Sequence, residues 1–282
     1  MGDTTKISWT ATYGTDGKSY PGSTLNWWIG CTKISDGCKH CYAETQDKMY
    51  RWTEGGWGPG KPRRLTSIKN RNRVLTWASE AARAGFLHRV FVSSLSDVFD
   101  AEVPKDWRQG LWEKMDEAWE LSEGNIEFMV LTKRIENAVL MLPDKWLADP
   151  AGAAHIRLGV TAENQVMADC RIPILLQLWP GGKNFISAEP LLGRINFLPY
   201  MFEQMKRPTG SLGPRNPLLD VIVVGGESGA GCRPMDIEWA RDILNQCHLS
   251  GSKFFMKQLG GFPKKHDEIG DWPLDLRVQE MP

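Results

Sequence analysis

Six short runs rich in β-branched and aromatic residues recur along the chain, separated by longer amphipathic stretches. They are Arg89–Ser93, Glu127–Leu131, Ile156–Val160, Asn184–Ser187, Asp220–Val224 and Lys253–Met256. None alternates cleanly between apolar and polar residues. Strands buried on both faces of a parallel sheet have that pattern. A further strand, Thr24–Ile29, is expected to head the series. The stretches between the runs have helical periodicity. From Trp107, apolar residues recur at Leu111, Met115 and Ala118, with Pro104 at the start. From Ile237 they recur at Ala240, Ile243, Leu244 and Cys247, with Asp236 as the expected N-cap and Gly251 just past the end. Ser67–Ala84 is expected to form a third helix, closed by Gly85. Strand and helix in repeated alternation predict a parallel α/β fold. The Gly- and Pro-rich stretch Lys206 to Pro217 is the expected surface insertion.

Composition narrows the class. The chain has 282 residues, 41% hydrophobic and 24% charged, which excludes disordered and fibrous classes. Thirty-four basic residues balance thirty-four acidic ones. A chain without net charge does not hold nucleic acid by bulk charge, although a local basic patch remains open. No apolar run approaches the length of a membrane span, and residues 1–6 lack the apolar stretch of a secretory signal. The expected location is the cytoplasm, or the host cytoplasm for a phage-encoded chain, with no membrane partner. The six cysteines are then expected to be reduced. The thirteen tryptophans are expected mainly in the core or at a pocket rim.

Three cysteines, Cys31, Cys38 and Cys41, fall within eleven residues, with Gly30 and Gly37 preceding two of them. The spacing is C-x6-C-x2-C. Three thiolates on one loop suit a 4Fe–4S cluster whose fourth iron stays open to a ligand. Zinc is the alternative, but it needs a fourth ligand, and His40 is squeezed between Cys38 and Cys41. Three unmetallated thiols would serve no packing purpose. Cys170, Cys232 and Cys247 are scattered and read as small buried hydrophobes.

Three cysteines on a loop after the first strand of a parallel α/β chain resemble the radical SAM superfamily. Its common spacing is C-x3-C-x2-C, with an aromatic residue before the last cysteine. Here the first gap is longer, and His40 takes the aromatic position. A wider set of segments is similar to a family of three-cysteine radical-SAM-like proteins of phages and bacteria. These are Gly30-Cys31, Ser35, Gly37-Cys38, Cys41–Glu44, Ser94–Asp97, Leu131–Arg134, Gly159–Asn164, Glu189–Leu191 and Gly225–Gly229. Leu25-Asn26-Trp27 stands where members usually carry Trp-Asn-Pro. The resemblance implies an α/β fold with a partial (β/α) barrel of about six parallel strands over residues 24–260. Short extensions, 1–23 and 261–282, would flank it.

It also implies a division of labour. Cys31, Cys38 and Cys41 would hold the 4Fe–4S cluster, and S-adenosylmethionine would bind at the open iron. His40 would lie near the adenine, and Ser94, Ser96 and Asp97 near the methionine amino group. Lys133 would pair with the methionine carboxylate, and Glu163 and Asn164 would hold the ribose. Glu189, Glu227 and Lys257, on later strands, would face the substrate as catalytic groups. Reductive cleavage of S-adenosylmethionine would give a 5′-deoxyadenosyl radical that abstracts hydrogen, with the electron coming from a donor such as flavodoxin or ferredoxin. The implied substrate is a nucleobase or its substituent in phage DNA hypermodification, through a rearrangement. The rival functions are a zinc-bearing nucleic-acid-binding module without catalysis, and a radical enzyme acting on a peptide or small metabolite.

Two further features bear on substrate. Lys61, Arg63, Arg64, Lys69, Arg71 and Arg73 lie in thirteen residues without an acid, just after Trp52 and Trp57. Basic groups beside aromatics suit a DNA or nucleotide partner, and a solvated helix start is the plainer alternative. Gly225-Gly226-Glu227-Ser228-Gly229 is a candidate phosphate cradle, although it does not fit G-x-G-x-x-G.

Overall fold

Seven strands form one parallel sheet in chain order, β1 (Ser23–Leu25), β2 (His88–Val92), β3 (Ile126–Thr132), β4 (Ile156–Thr161), β5 (Asn184–Ala188), β6 (Val221–Gly225) and β7 (Lys253–Gln258). The structure is a computed structural model describing residues 4–13, 18–202 and 218–281. The expected insertion at Lys206 to Pro217 lies outside the described residues. In register, Thr24 lies opposite Phe91, Val90 opposite Phe128, and Val223 opposite both Ser187 and Phe255. A sequential order without reversal is the connectivity of a partial (β/α) barrel; a doubly wound sheet reverses its order midway. β4, β5 and β6 are buried along their whole length. That accounts for the absence of in-out alternation in their sequences.

The chain divides into two compact units, one of residues 1–159 and 178–183, the other of residues 160–177 and 184–282. In the first unit, helices α1 (Tyr42–Tyr50), α2 (Ile68–Ala84) and α3 (Lys105–Leu121) accompany β1 to β3. The Ser67 hydroxyl caps α2 by accepting the Asn70 N–H at 3.3 Å, and Gly85 closes it at φ +66°. Eight of the thirteen tryptophans are buried in the core. Glu127, at the N-terminal end of β3, is buried among Arg89, Arg157 and Lys183, with nearest contacts of 3.0, 3.2 and 3.0 Å. Charge networks at that end of a parallel sheet serve stability.

The expected strand Thr24–Ile29 is corrected by the structure. β1 ends at Leu25, because the Asn26 amide leaves the sheet pattern and accepts the Leu95 N–H at 2.9 Å. Trp28–Ile29 then pairs antiparallel with Arg64–Leu65 in a separate two-stranded sheet.

In the second unit, α4 (Gln165–Leu178, its last residue counted with the first unit) and α5 (Ile237–Ser250) accompany β5 to β7. Asp236 caps α5 through the Glu238 N–H at 3.0 Å, and Gly251 ends it at φ +81°. Residues 278–280 return along β7, where Met256 N–H meets Val278 O at 2.8 Å and Glu280 N–H meets Phe254 O at 2.9 Å. This antiparallel cover protects the outer edge of the last strand.

Candidate functional site

The cysteine loop is built on a tight backbone. Gly30 has φ +111°, and a Cβ there would sit 2.7 Å from the Gly56 carbonyl oxygen. Only glycine fits that approach. The Gly30 N–H donates to Leu95 O at 3.1 Å, and the Gly58 N–H donates to Cys31 O at 3.0 Å. A 3-10 turn, Asp36–Cys38, carries the second cysteine, whose sulfur lies 3.8 Å from the Ser35 hydroxyl. Cys41 is the residue before α1, where a helix's partial positive charge favours an anionic group. It packs against the small cluster of Ile29, Ala43 and Leu95, as do Trp52 and Trp57. The Tyr42 hydroxyl, one residue on, donates to Ser94 O at 2.7 Å and ties α1 to the end of β2.

All three thiols are unpaired and half-buried. The Cys31 sulfur accepts a hydrogen bond from Arg134 Nη1 at 3.5 Å. Burial, with Asp97 adding to it and Arg134 opposing, pushes the Cys31 thiol up to about 12. A bound metal reverses that balance, since its positive charge deprotonates a coordinating thiol. Among the described residues, no three His, Cys, Asp or Glu side chains converge on one metal position. The thiols are therefore not preassembled. Their chemistry, their freedom from disulfides and their shared loop nevertheless fit a three-thiolate cluster. His40 is half-buried between Cys38 and Cys41.

The ends of β2 and β3 complete this unit's share of the site. The Asp97 carboxylate is buried and accepts four hydrogen bonds. Oδ1 takes the Thr132 hydroxyl at 2.7 Å and the Phe99 N–H at 3.0 Å; Oδ2 takes the Lys133 N–H and Arg134 Nη1, both at 3.1 Å. Its lone pairs are thus committed to bracing the Lys133–Arg134 turn. Ser94 exchanges hydrogen bonds with the Asn26 amide at 3.0 and 3.3 Å. The buried hydroxyls of Ser93 and Ser96 find no partner among the described residues. Ser93 also has φ +63°, a left-handed backbone at the strand end. An unsatisfied buried hydroxyl at a strand end fits a polar ligand there. The Lys133 side chain is half-buried.

The second unit presents its own residues. Glu163 is fully buried and bound to Arg171 at 2.7 Å, while Arg171 also donates to Thr161 O. Asn164 precedes α4 and caps it, accepting the Met167 N–H at 3.0 Å. Glu189 and Lys257 meet in an ion pair at 2.8 Å. Both Glu227 oxygens are held by Arg233, at 2.7 and 3.0 Å. The Gly225–Gly229 segment is not an open cradle. Gly226 N–H donates to Gln258 O at 3.0 Å and Gly229 N–H to Gly261 O at 3.4 Å. A Cβ at Gly226 would lie 2.0 Å from Leu259 O, so this glycine serves close chain packing.

A family model described as "Protein of unknown function (DUF5131)" matches residues 4–277. The chain belongs to the DUF5131 family. Comparison with curated proteins gives no match. Among solved structures, it is similar to a carbohydrate transporter from Acidothermus cellulolyticus 11B in complex with myo-inositol. That likeness has 12% identity over 84% of this chain and 74% of the transporter, at a TM-score of 0.20, below the level of a shared fold.

The basic stretch of this DUF5131 chain is corrected at Arg63. Its side chain is 1% exposed and meets Asp100 at 2.8 Å and Glu102 at 2.7 Å. It also donates to the Thr32 hydroxyl and to the carbonyls of Gly56, Gly58 and Lys61. Arg63 is the scaffold of the loop around Cys31 and is closed to phosphate. Lys61, Arg64 and Lys69 are exposed, and Arg64 donates to the Trp52 carbonyl. Arg71 and Arg73 are half-buried, lying over the Trp27 and Trp77 rings at 5.2 and 5.8 Å. Asn26, Arg134, Arg171 and Arg233 hold the expected site residues and were not singled out from sequence as their partners. Nothing in their spacing distinguishes them from solvated polar residues. No helix among the described residues is long and apolar enough to cross a membrane.

Proposed function

We propose that this DUF5131 protein is a radical SAM enzyme in which Cys31, Cys38 and Cys41 would hold a 4Fe–4S cluster. The observation that carries the reading is the loop itself: three unpaired, half-buried thiols between a short strand and α1, with one sulfur under a fixed guanidinium. When bound, the cluster supplies the electron that cleaves S-adenosylmethionine reductively and so generates a 5′-deoxyadenosyl radical. The chain's own groups bind and orient. The unsatisfied Ser96 hydroxyl suits the cofactor's amino group, and Lys133 suits its carboxylate as a charge-assisted donor. Asp97 keeps Lys133 in place through its backbone N–H. Glu189 with Lys257, and Glu227 with Arg233, are the polar pairs that the second unit offers as substrate groups. The proposed substrate is a nucleobase or its substituent in DNA. Exposed Lys61, Arg64 and Lys69 support it as the polyanion contacts that remain once Arg63 is set aside. The electron would come from a small donor of the flavodoxin or ferredoxin class.

Anaerobic purification with iron and sulfide analysis tests the reading. The parent protein is expected to be brown and to form 5′-deoxyadenosine slowly under reductant, even without substrate. Cys31→Ala, Cys38→Ala and Cys41→Ala should each abolish cluster binding, whereas Cys170→Ala should not. A colourless protein carrying zinc would support the non-catalytic module instead. Full iron occupancy in Cys38→Ala would refute the assignment.

A further inference from the structure

We infer that Arg134 is a positioning residue that fixes the Cys31 sulfur and raises the potential at which the metal centre accepts its electron. The inference rests on the cluster reading above. Arg134 is buried, and its guanidinium reaches three acceptors: Asp97 Oδ2 at 3.1 Å, the Cys31 sulfur at 3.5 Å and the Thr32 carbonyl oxygen. It thus grips the first cysteine and the residue after it together.

The backbone of Arg134 is tied down as well. The Arg134 N–H donates to the Thr132 hydroxyl at 2.8 Å, and that hydroxyl donates to Asp97 Oδ1 at 2.7 Å. Asp97 then accepts the guanidinium on its other oxygen. Thr132, Asp97 and Arg134 close a ring of hydrogen bonds across the ends of β2 and β3. A carboxylate that only needed a counter-ion would not require a donor shared with a thiol.

Hydrogen bonds to ligand sulfurs and nearby positive charge set the potential of an iron–sulfur centre. A cationic donor on a thiolate stabilises the reduced, more negative state, so its presence moves the potential upward. The electron is supplied from outside, by dithionite in the assay or by a reduced flavodoxin-class donor in the cell. Arg134 neither gains nor loses a proton, and no bond to it forms or breaks.

The test is an anaerobic potentiometric titration followed by electron paramagnetic resonance, on the reconstituted full-length protein and its variants, with iron and sulfide measured first. Arg134→Gln should keep its iron and show a lower potential than the parent. Arg134→Lys, which keeps the charge but not the fork, should fall between them. Should Arg134→Gln fail to take up iron, Arg134→Lys decides the matter. Potentials equal to the parent's in the iron-replete variants overturn the role of Arg134 alone. A parent protein without iron and sulfide overturns the cluster reading as well, and the iron assay reports that before any potential is read.

Discussion

Arg63 shows at the scale of one residue how burial reassigns a charge. In the sequence it is one of six basic residues in an acid-free run; in the fold all its nitrogens are engaged, with Asp100 on one side and three carbonyls on another. Arg63→Ala is expected to lower stability by about 3–5 kcal/mol, because it leaves the buried Asp100 uncompensated. Arg63→Lys should recover only part of that, since an ammonium cannot span the same acceptors. Urea unfolding of the two variants measures both, and a loss under roughly 0.5 kcal/mol for Arg63→Ala would mean the network carries no weight. Residues of the candidate site divide along the same line. The three cysteines were legible because close thiol spacing has few uses. Arg134 was legible only as a polar neighbour of Lys133. Its grip on Cys31 spans 103 positions of chain, and no local pattern records that.

Elements were more legible than contacts, because burial on both faces leaves its trace in composition. The six expected strand runs are all strands of the sheet, and α2 and α5 carry the caps expected from Gly85, Asp236 and Gly251, while Ser67, expected as the first residue of its helix, is the N-cap. The failure at Thr24–Ile29 has a specific cause. Six extended residues look like one strand, and the break at Asn26 depends on the Leu95 N–H, which is 69 positions away. The caps permit a graded test. Ser67→Ala should cost about 1 kcal/mol through the lost N-cap. Gly85→Ala should cost roughly 1–2 kcal/mol, the penalty of a left-handed conformation with a Cβ. Gly30→Ala should be the most damaging of the three, since its Cβ would also meet backbone at 2.7 Å and the cysteine loop must shift. Thermal unfolding of the three variants gives the order. Gly30→Ala ranking below Ser67→Ala would contradict the tight approach beneath Cys31.

At the scale of the whole molecule, three pH-linked terms and one salt-linked term follow from where charges sit. Burial lowers His88 to about 4; burial also lowers His155 to about 4, against opposition from Asp116. In the unfolded chain both titrate near 6.5, so their contribution is complete above that pH and is lost as pH falls toward 4. At most about 3 kcal/mol per histidine is involved. Burial would raise Glu127, but Arg157, Arg89 and Lys183 outweigh it and hold the carboxyl at about 2. Its contribution is present above pH 4.5 and is lost as pH falls toward 2. Unfolding free energy should therefore decline below pH 6.5, and His155→Gln, which cannot charge, should flatten that upper limb. A pH-independent stability from 7 to 4 would contradict the lowered titration of buried His155 and half-buried His88.

Salt dependence tests the proposed polyanion partner at the same scale. The chain has no net charge, so any attraction must come from its local basic surface. Arg63 cannot contribute, which leaves exposed Lys61, Arg64 and Lys69. Three neutralised phosphates give a log–log salt slope of about −2.7 on duplex DNA. Replacing Lys61, Arg64 and Lys69 together by Ala should bring the slope close to zero and weaken binding on all sequences alike, since phosphate contacts position without specifying. Arg63→Lys should leave the slope of the folded fraction unchanged while stability falls, which separates scaffold from contact. Fluorescence anisotropy on labelled duplex and single strands between 50 and 200 mM salt, a range over which the duplex affinity should change roughly fortyfold, makes the measurement. If the parent shows no salt-dependent association with either, the polymeric substrate is excluded. A free nucleotide or small metabolite would then take its place.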